Sequence, residues 1–191
     1  MALTLDGLKT LLEAVQLQYF IAPDRPNVML HIQGTFGRYQ ILILLECNGE
    51  FVQFRTIGYL NCPADHRHLS EVLKAIGAMN YIRRLVKFGW DAADGELVAF
   101  ADLWLMDSTL TLGQFHRMLD NYIGVADQAC ARISLIMETG KDPGDLPPEE
   151  MMREMLRSGS LPGPARARLE KLLGKVDPQE GPDKGPDFSS I

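Results

Sequence analysis

"FGWDAADGELVAFADLWLMD", residues 88–107, decides the fold. Two apolar runs flank Asp91-Ala92-Ala93-Asp94-Gly95. Asp accepts hydrogen bonds from turn amides and Gly supplies positive φ, so the pentad reads as a hairpin loop between antiparallel strands. The carboxylates of Asp91, Asp94 and Asp102 invite a second reading, a metal site. A calcium loop needs further oxygen ligands and a closing bidentate Glu at fixed spacing, and these do not follow. The acids are therefore read as turn formers, with strands predicted over 83–90 and 96–106.

Downstream, Asp107, Ser108 and Thr109 turn the chain, and Thr111 with Gln114 forms a capping-box pair. Leu112, Phe115, Leu119, Tyr122, Ala126, Ala129, Ile133 and Ile136 then recur at alternating spacings of three and four, one apolar seam along a helix. At 1.5 Å per residue that helix is about 40 Å long, more than a small sheet needs, so one end is expected to project or to pack on another subunit. Upstream, Leu69, Val72, Leu73, Ile76 and Met79 form the buried stripe of a helix starting at Pro63 or Asp65.

Three strands are predicted before it. Val28, Leu30 and Ile32 alternate with Met29, His31 and Gln33. Tyr39 to Glu46 is apolar on both faces at its centre, as an interior strand would be. Asn48-Gly49 then supplies a tight turn into Phe51 to Ile57. A first helix begins at Thr4 as N-cap, carries Leu5, Leu8, Leu12, Val15 and Tyr19, and gives way to a loop at Pro23 and Pro26. The order α-β-β-β-α-β-β-α predicts an α+β two-layer sandwich, helices on one face of a five-stranded antiparallel sheet.

The other face then carries the functional question. If Val28, Leu30 and Ile32 face the helices, Met29, His31 and Gln33 do not. By the same alternation Leu42, Leu44, Phe51 and Leu85 join that outer face among Gln40, Gln53, Arg55 and Lys87. A mixed surface with an apolar centre marks a contact with a partner or a second copy, or a seat for the chain's own tail.

Composition changes near Gly140. Eight of the eleven prolines lie beyond it, which sets an expected domain over 1–139 and a Pro-rich tail over 140–191. "PPEEMMREMLRSG" places Pro148 in a first turn, Glu149 and Glu150 after it and Gly159 as a stop, with Met151, Met152, Met155 and Leu156 as an apolar stripe. "GPARARLEKLLGK" repeats the scheme. Helices near 148–158 and 164–174 are too short to stand alone and should dock on the domain, a second subunit or a partner. Met151 and Met155 are thus candidate contact residues, and the closing stretch, "DPQEGPDKGPDFSSI", is expected to be disordered.

A net charge of −6 and a pI near 5.2 oppose attraction to phosphate backbones, so no nucleic-acid partner is expected. The longest apolar run, Ile41 to Leu45, is too short to cross a bilayer, and Met1-Ala2-Leu3-Thr4 lacks a basic leader. Three scattered cysteines suit a reducing compartment, and the expectation is a cytoplasmic protein. "CPADHRH" brings Cys62, His66 and His68 close in sequence, but no second cluster completes a zinc site; solvated residues at a helix start explain the histidines equally well. There is no nucleophile elbow or phosphate loop, so neither catalytic residues nor a cofactor are expected. A pocket lined by His31, Arg55 and Glu46 remains the alternative, a small-ligand binder or enzyme. Arg83, Arg84 and Lys87 read as an edge-strand guard or salt-bridge partners.

The words "CPADHRHLSEVLKAIGAMN", with Pro63, Arg67, Leu73 and Asn80, and "FGWDAADGELVAFADLWLMDSTLTLGQFHRML", a hairpin leading to a Thr-capped helix and Phe115, resemble the YbjN-like family of bacterial sensory-transduction regulators over about residues 1–137. The resemblance implies a fold similar to the type III secretion chaperones, which commonly dimerise and bind other proteins, and implies no catalytic residues. The expected protein is a non-enzymatic interaction module, chaperone-like or regulatory, a homodimer with a further protein partner.

Overall fold

Thr4 caps the first helix as expected: its side chain accepts from the Gly7 N–H, and α1 runs Leu5–Ala14 with Leu8, Leu11 and Leu12 buried. The computed structural model describes residues 2–21, 27–159 and 161–176; the predicted Pro23–Pro26 loop and the closing stretch from 177 lie outside them. The helix is shorter than its apolar spacing suggested. Gln16 adopts a positive φ and breaks it, and Tyr19 belongs to a short strand, β1 (Tyr19–Ile21).

The three predicted strands follow as β2 (Asn27–Gln33), β3 (Arg38–Glu46) and β4 (Phe51–Ile57). Cys47, Asn48 and Gly49 turn the chain between β3 and β4, all at positive φ. After Gly58 and Tyr59 the line of β4 resumes as β5 (Leu60–Asn61). Then come α2 (Leu69–Ile82), β6 (Lys87–Trp90), β7 (Glu96–Trp104) and α3 (Leu112–Thr139). Helix α2 starts six residues after Pro63 because turns at Ala64–Asp65 and Arg67–His68 intervene. Arg83 caps α2, so β6 begins at Lys87 rather than at Arg83.

Among the described residues the sheet has seven strands, not five, and is antiparallel at every pairing. The prediction missed β1 and β5, at three and two residues too short to show an alternation. Leu97 pairs with Leu60 of β5 and with Trp90 of β6, and Phe100 pairs with Arg55 of β4 and with Lys87 of β6. Strands β4 and β5 therefore line one side of β7 and β6 the other.

The opening hairpin answers its question in atoms. Asp91 Oδ1 accepts from the Ala93 N–H, Asp94 Oδ1 from the Glu96 N–H, and Gly95 sits at φ 78°. A Cβ on Gly95 would stand 2.7 Å from the Cys62 carbonyl oxygen, so both the turn and the close approach require glycine. Asp102 lies beyond the turn and accepts from Gln53 Nε2 at 2.7 Å.

One core fills the space between sheet and helices. Val28, Leu30, Ile41, Ile43, Val52, Phe54, Leu97 and Ala99 meet Leu8, Leu12, Val72, Phe115, Tyr122, Ile133 and Ile136. The capping box at Thr111 and Gln114 forms as predicted. On the opposite side of α3, half a helical turn from Ile133, Ala131 and Leu135 meet a second cluster. It is built by α4 (Pro148–Ser158) and α5 (Gly163–Val176). The far end of α3 is thus covered by the chain's own tail helices, which add a third layer to the expected two.

Candidate functional site

The open side of the sheet presents its residues in cross-strand rows. In the central row Phe20, Met29, Leu42, Arg55, Phe100 and Lys87 stand opposite one another from β1 to β6. Beside it run Asn27, Leu44, Gln53 and Asp102, and then Glu46, Phe51 and Trp104. On the other flank lie His31, Gln40 and Ile57. No helix of the described residues covers these rows: Phe20 is 60% exposed, Trp104 59% and Ile57 37%. The Phe51 and Trp104 rings meet at 4.8 Å between centroids, an aromatic cross-strand pair that anchors one corner. Polar groups between the apolar ones are mostly paired within the face, Gln53 with Asp102 and Arg55 with Glu96 at 3.6 Å.

Of the sequence candidates, Met29, Leu42, Leu44 and Phe51 come together here. Leu85 does not. It packs against the main core, because the chain before Lys87 leaves the sheet. Met151 and Met155 are also elsewhere, 3% and 7% exposed in the second cluster, where they seat the tail on α3 of the same chain. Phe20 and Phe100 were not assigned to this face, and neither was Trp104, which reads in sequence as a core anchor first and an interface anchor second. The alternation Glu96, Val98, Phe100, Asp102, Trp104 carried the signal for two of them, whereas Phe20 was hidden by placing Tyr19 on a helix.

The basic group at 83–87 splits three ways. The Lys87 ammonium donates to the Asn80 and Arg83 carbonyls and so closes the C-terminus of α2, Arg83 reaches Asp145 at 3.4 Å, and Arg84 is exposed.

The proposed polar pocket does not assemble. His31 lies opposite Gln40, and Glu46 sits six residues further along β3, about 20 Å away at strand rise. The buried thiol and phenols are held protonated rather than poised: burial pushes the Cys130 thiol up to about 11, and burial raises Tyr39, Tyr59 and Tyr122. Cys62 is buried with its side chain in the core, and its carbonyl accepts the Trp90 indole N–H. His66 and His68 stand at the start of α2, with His66 Nδ1 accepting the His68 N–H. Among the described residues no three His, Cys, Asp or Glu side chains converge as a metal site would need.

A second polar construction, unread in the sequence, ties sheet and tail together. Asp127 of α3 accepts from the Thr35 N–H at 2.7 Å, the Phe36 N–H at 2.9 Å and the Tyr39 hydroxyl at 2.6 Å. From the other side Arg168 of α5 donates to the Gly34 and Thr35 carbonyls. The β2–β3 turn is thus gripped by its N–H groups from α3 and by its carbonyls from α5. A Cβ on Gly34 would stand 2.3 Å from Asp127 Oδ1, so the grip requires glycine. Arg132 makes a bidentate bond to Asp142 and a third bond to Asp145, fixing the link between α3 and α4.

No helix of the described residues is long and apolar enough to cross a membrane. Among solved structures, the crystal structure of YbjN from E. coli is similar at 19% identity and a TM-score of 0.51, covering 66% of this chain and 87% of that one. A chain of the HopA1–SchA chaperone–effector complex aligns at 13% identity and a TM-score of 0.45, covering 62% of this chain and 86% of that one. A chain of the ExsC–ExsE complex aligns at 18% identity and a TM-score of 0.42, covering 66% and 92%. No curated protein matches the sequence. The family model named YbjN, described as "Putative bacterial sensory transduction regulator", matches residues 4–134. That span runs from the N-cap of α1 to the last turns of α3, and by it the chain belongs to the YbjN family.

Proposed function

We propose that this YbjN-family chain is a non-enzymatic, cytoplasmic protein-interaction module, chaperone-like or regulatory, that pairs with a second copy of itself through the open face of its sheet and acts by binding a further protein. The observation that carries the reading is the central row, with Phe20, Met29, Leu42 and Phe100 aligned across the strands and nothing of the described chain laid over them. Six strand lines at 4.8 Å spacing, with β3 at nine residues, give a face of about 700 Å². A stable interface takes about 800 Å² from each partner, so the face matches one side of a standard contact.

A second copy fits because the face carries both signs of charge among its apolar residues: Arg55 in the central row, and Asp102 and Glu46 in the rows beside it. A two-fold contact sets a patch against itself and needs that self-complementarity. Sedimentation equilibrium of the wild type and of Leu42→Glu tests it. The expected result is a dimer that the substitution converts to a monomer with its thermal midpoint little changed, since Leu42 lies outside the core. A wild type that stays monomeric at high concentration defeats the reading.

A further inference from the structure

Beyond the open face, the geometry points to a second interaction site at the free half-edge of β7: a groove that takes an extended, apolar, acid-flanked peptide segment of a partner protein as an added strand. Leu105 donates its N–H to the Glu50 carbonyl on the β4 side. By strand alternation Leu103 and Ala101 turn their backbone groups the same way, and Asp102 and Trp104 turn theirs to the opposite side. There β6 reaches only to Lys87, opposite Phe100, so no strand of the described chain pairs with Asp102 or Trp104 on that side.

The edge opens onto a groove of about 900 Å³ between the 83–86 segment, the end of β7 and α3. Its floor is apolar, with Val86, Leu103, Leu105, Leu110, Met118 and Val125. An unpaired strand edge beside apolar pockets is the arrangement by which sheets accept an extended peptide: the main chain supplies hydrogen bonds, and alternate side chains fill the pockets.

Charge selects the occupant. Among the described residues the rim carries Arg83, Arg84 and Arg117 against a single acid, Asp145, which is already engaged by Arg83 and Arg132. Arg84 and Arg117 are exposed and make no ion pair among the described residues. In a chain of net charge −6 this is a local positive rim, which favours an acidic segment over a second copy of the chain.

A random twelve-residue peptide library displayed on phage, selected on the full chain, tests the site. Enriched peptides are expected to alternate apolar residues and to carry an acid. Their synthetic forms should bind at least tenfold more weakly to the Arg84→Glu/Arg117→Glu variant, whose thermal midpoint is unchanged. Methylating the alternate peptide amides that face β7 should abolish binding, and methylating the other set should not. No enrichment, enrichment of basic peptides, or binding insensitive to the charge reversal overturns the site. So does a change in self-association on charge reversal, which would give the groove to a second copy. Because Met29, Leu42 and Leu44 are untouched in this variant, failure here is separable from failure of the open-face dimer.

Discussion

Removing one carboxylate, in Asp127→Ala, should loosen the sheet and the tail together. The side chain is 7% exposed and accepts three hydrogen bonds, two from the β2–β3 turn and one from Tyr39, itself 5% exposed. Bonds to a charged acceptor contribute about 1.5–3 kcal/mol each, but bonds sharing one acceptor do not add. Thr35 and Phe36 are partly exposed, so water replaces the acceptor for their N–H groups; the Tyr39 hydroxyl is buried and loses its partner outright. The expected loss is therefore about 3 kcal/mol, not the full sum. For a chain of this length each kcal/mol moves the thermal midpoint by about 2–4 °C, which gives a fall of about 6–12 °C. Circular dichroism melts of the wild type, Asp127→Ala and Asp127→Asn measure it, with the Asn variant falling between because it keeps one acceptor but turns a donor toward the turn. A loss under about 0.5 kcal/mol for Ala, the scale of an ordinary surface change, would refute the clamp.

Met155→Asp sets a charge into the second cluster, where Met155 is 7% exposed, and should release α4 and α5 from α3. Trypsin should then cut at Arg166 and Arg168 at least tenfold faster while the sheet and α3 persist; an unchanged cleavage pattern would contradict the docking described. Hydrogen bonding to Arg132 holds the Asp142 carboxyl below its ordinary value of 3.8, so the folded state binds that proton less readily than the unfolded chain. Its stabilisation is complete above 3.8 and is lost as pH falls through the lowered folded value. The difference in thermal midpoint between wild type and Asp142→Asn should therefore be full at neutral pH and shrink below pH 3.8; a difference independent of pH would rule out the ionic contribution.

Most of the fold was legible because its signals are local. Asp91, Asp94 and Gly95 make the turn that their types predict, and Thr111 with Gln114 makes the expected box. The long seam does face the core from Phe115 to Ile136, but Leu112, its predicted first residue, is 45% exposed. Short elements were not legible: Tyr19–Ile21 is a strand because it pairs with Val28–Leu30, a fact about distant residues rather than about its own three. The open face was half legible, since alternation placed Met29, Leu42, Leu44 and Phe51 correctly but was not carried through to Phe100 and Trp104. Leu85 failed because Arg83 ends α2 and the chain meets the sheet only at Lys87. The tail's seat was illegible for a further reason. Ala131 and Leu135 look like breaks in an amphipathic pattern until α4 is laid against them.

Hydroxyl-radical footprinting of the full chain at low and high concentration tests the central claim most directly, because it reads the surface used in self-association. Phe20, Met29, Phe51, Phe100 and Trp104 should become protected as concentration rises, while Tyr81 on α2, 92% exposed, keeps its reactivity. Protection of Tyr81 and Ile82 with the sheet face still reactive would contradict the account.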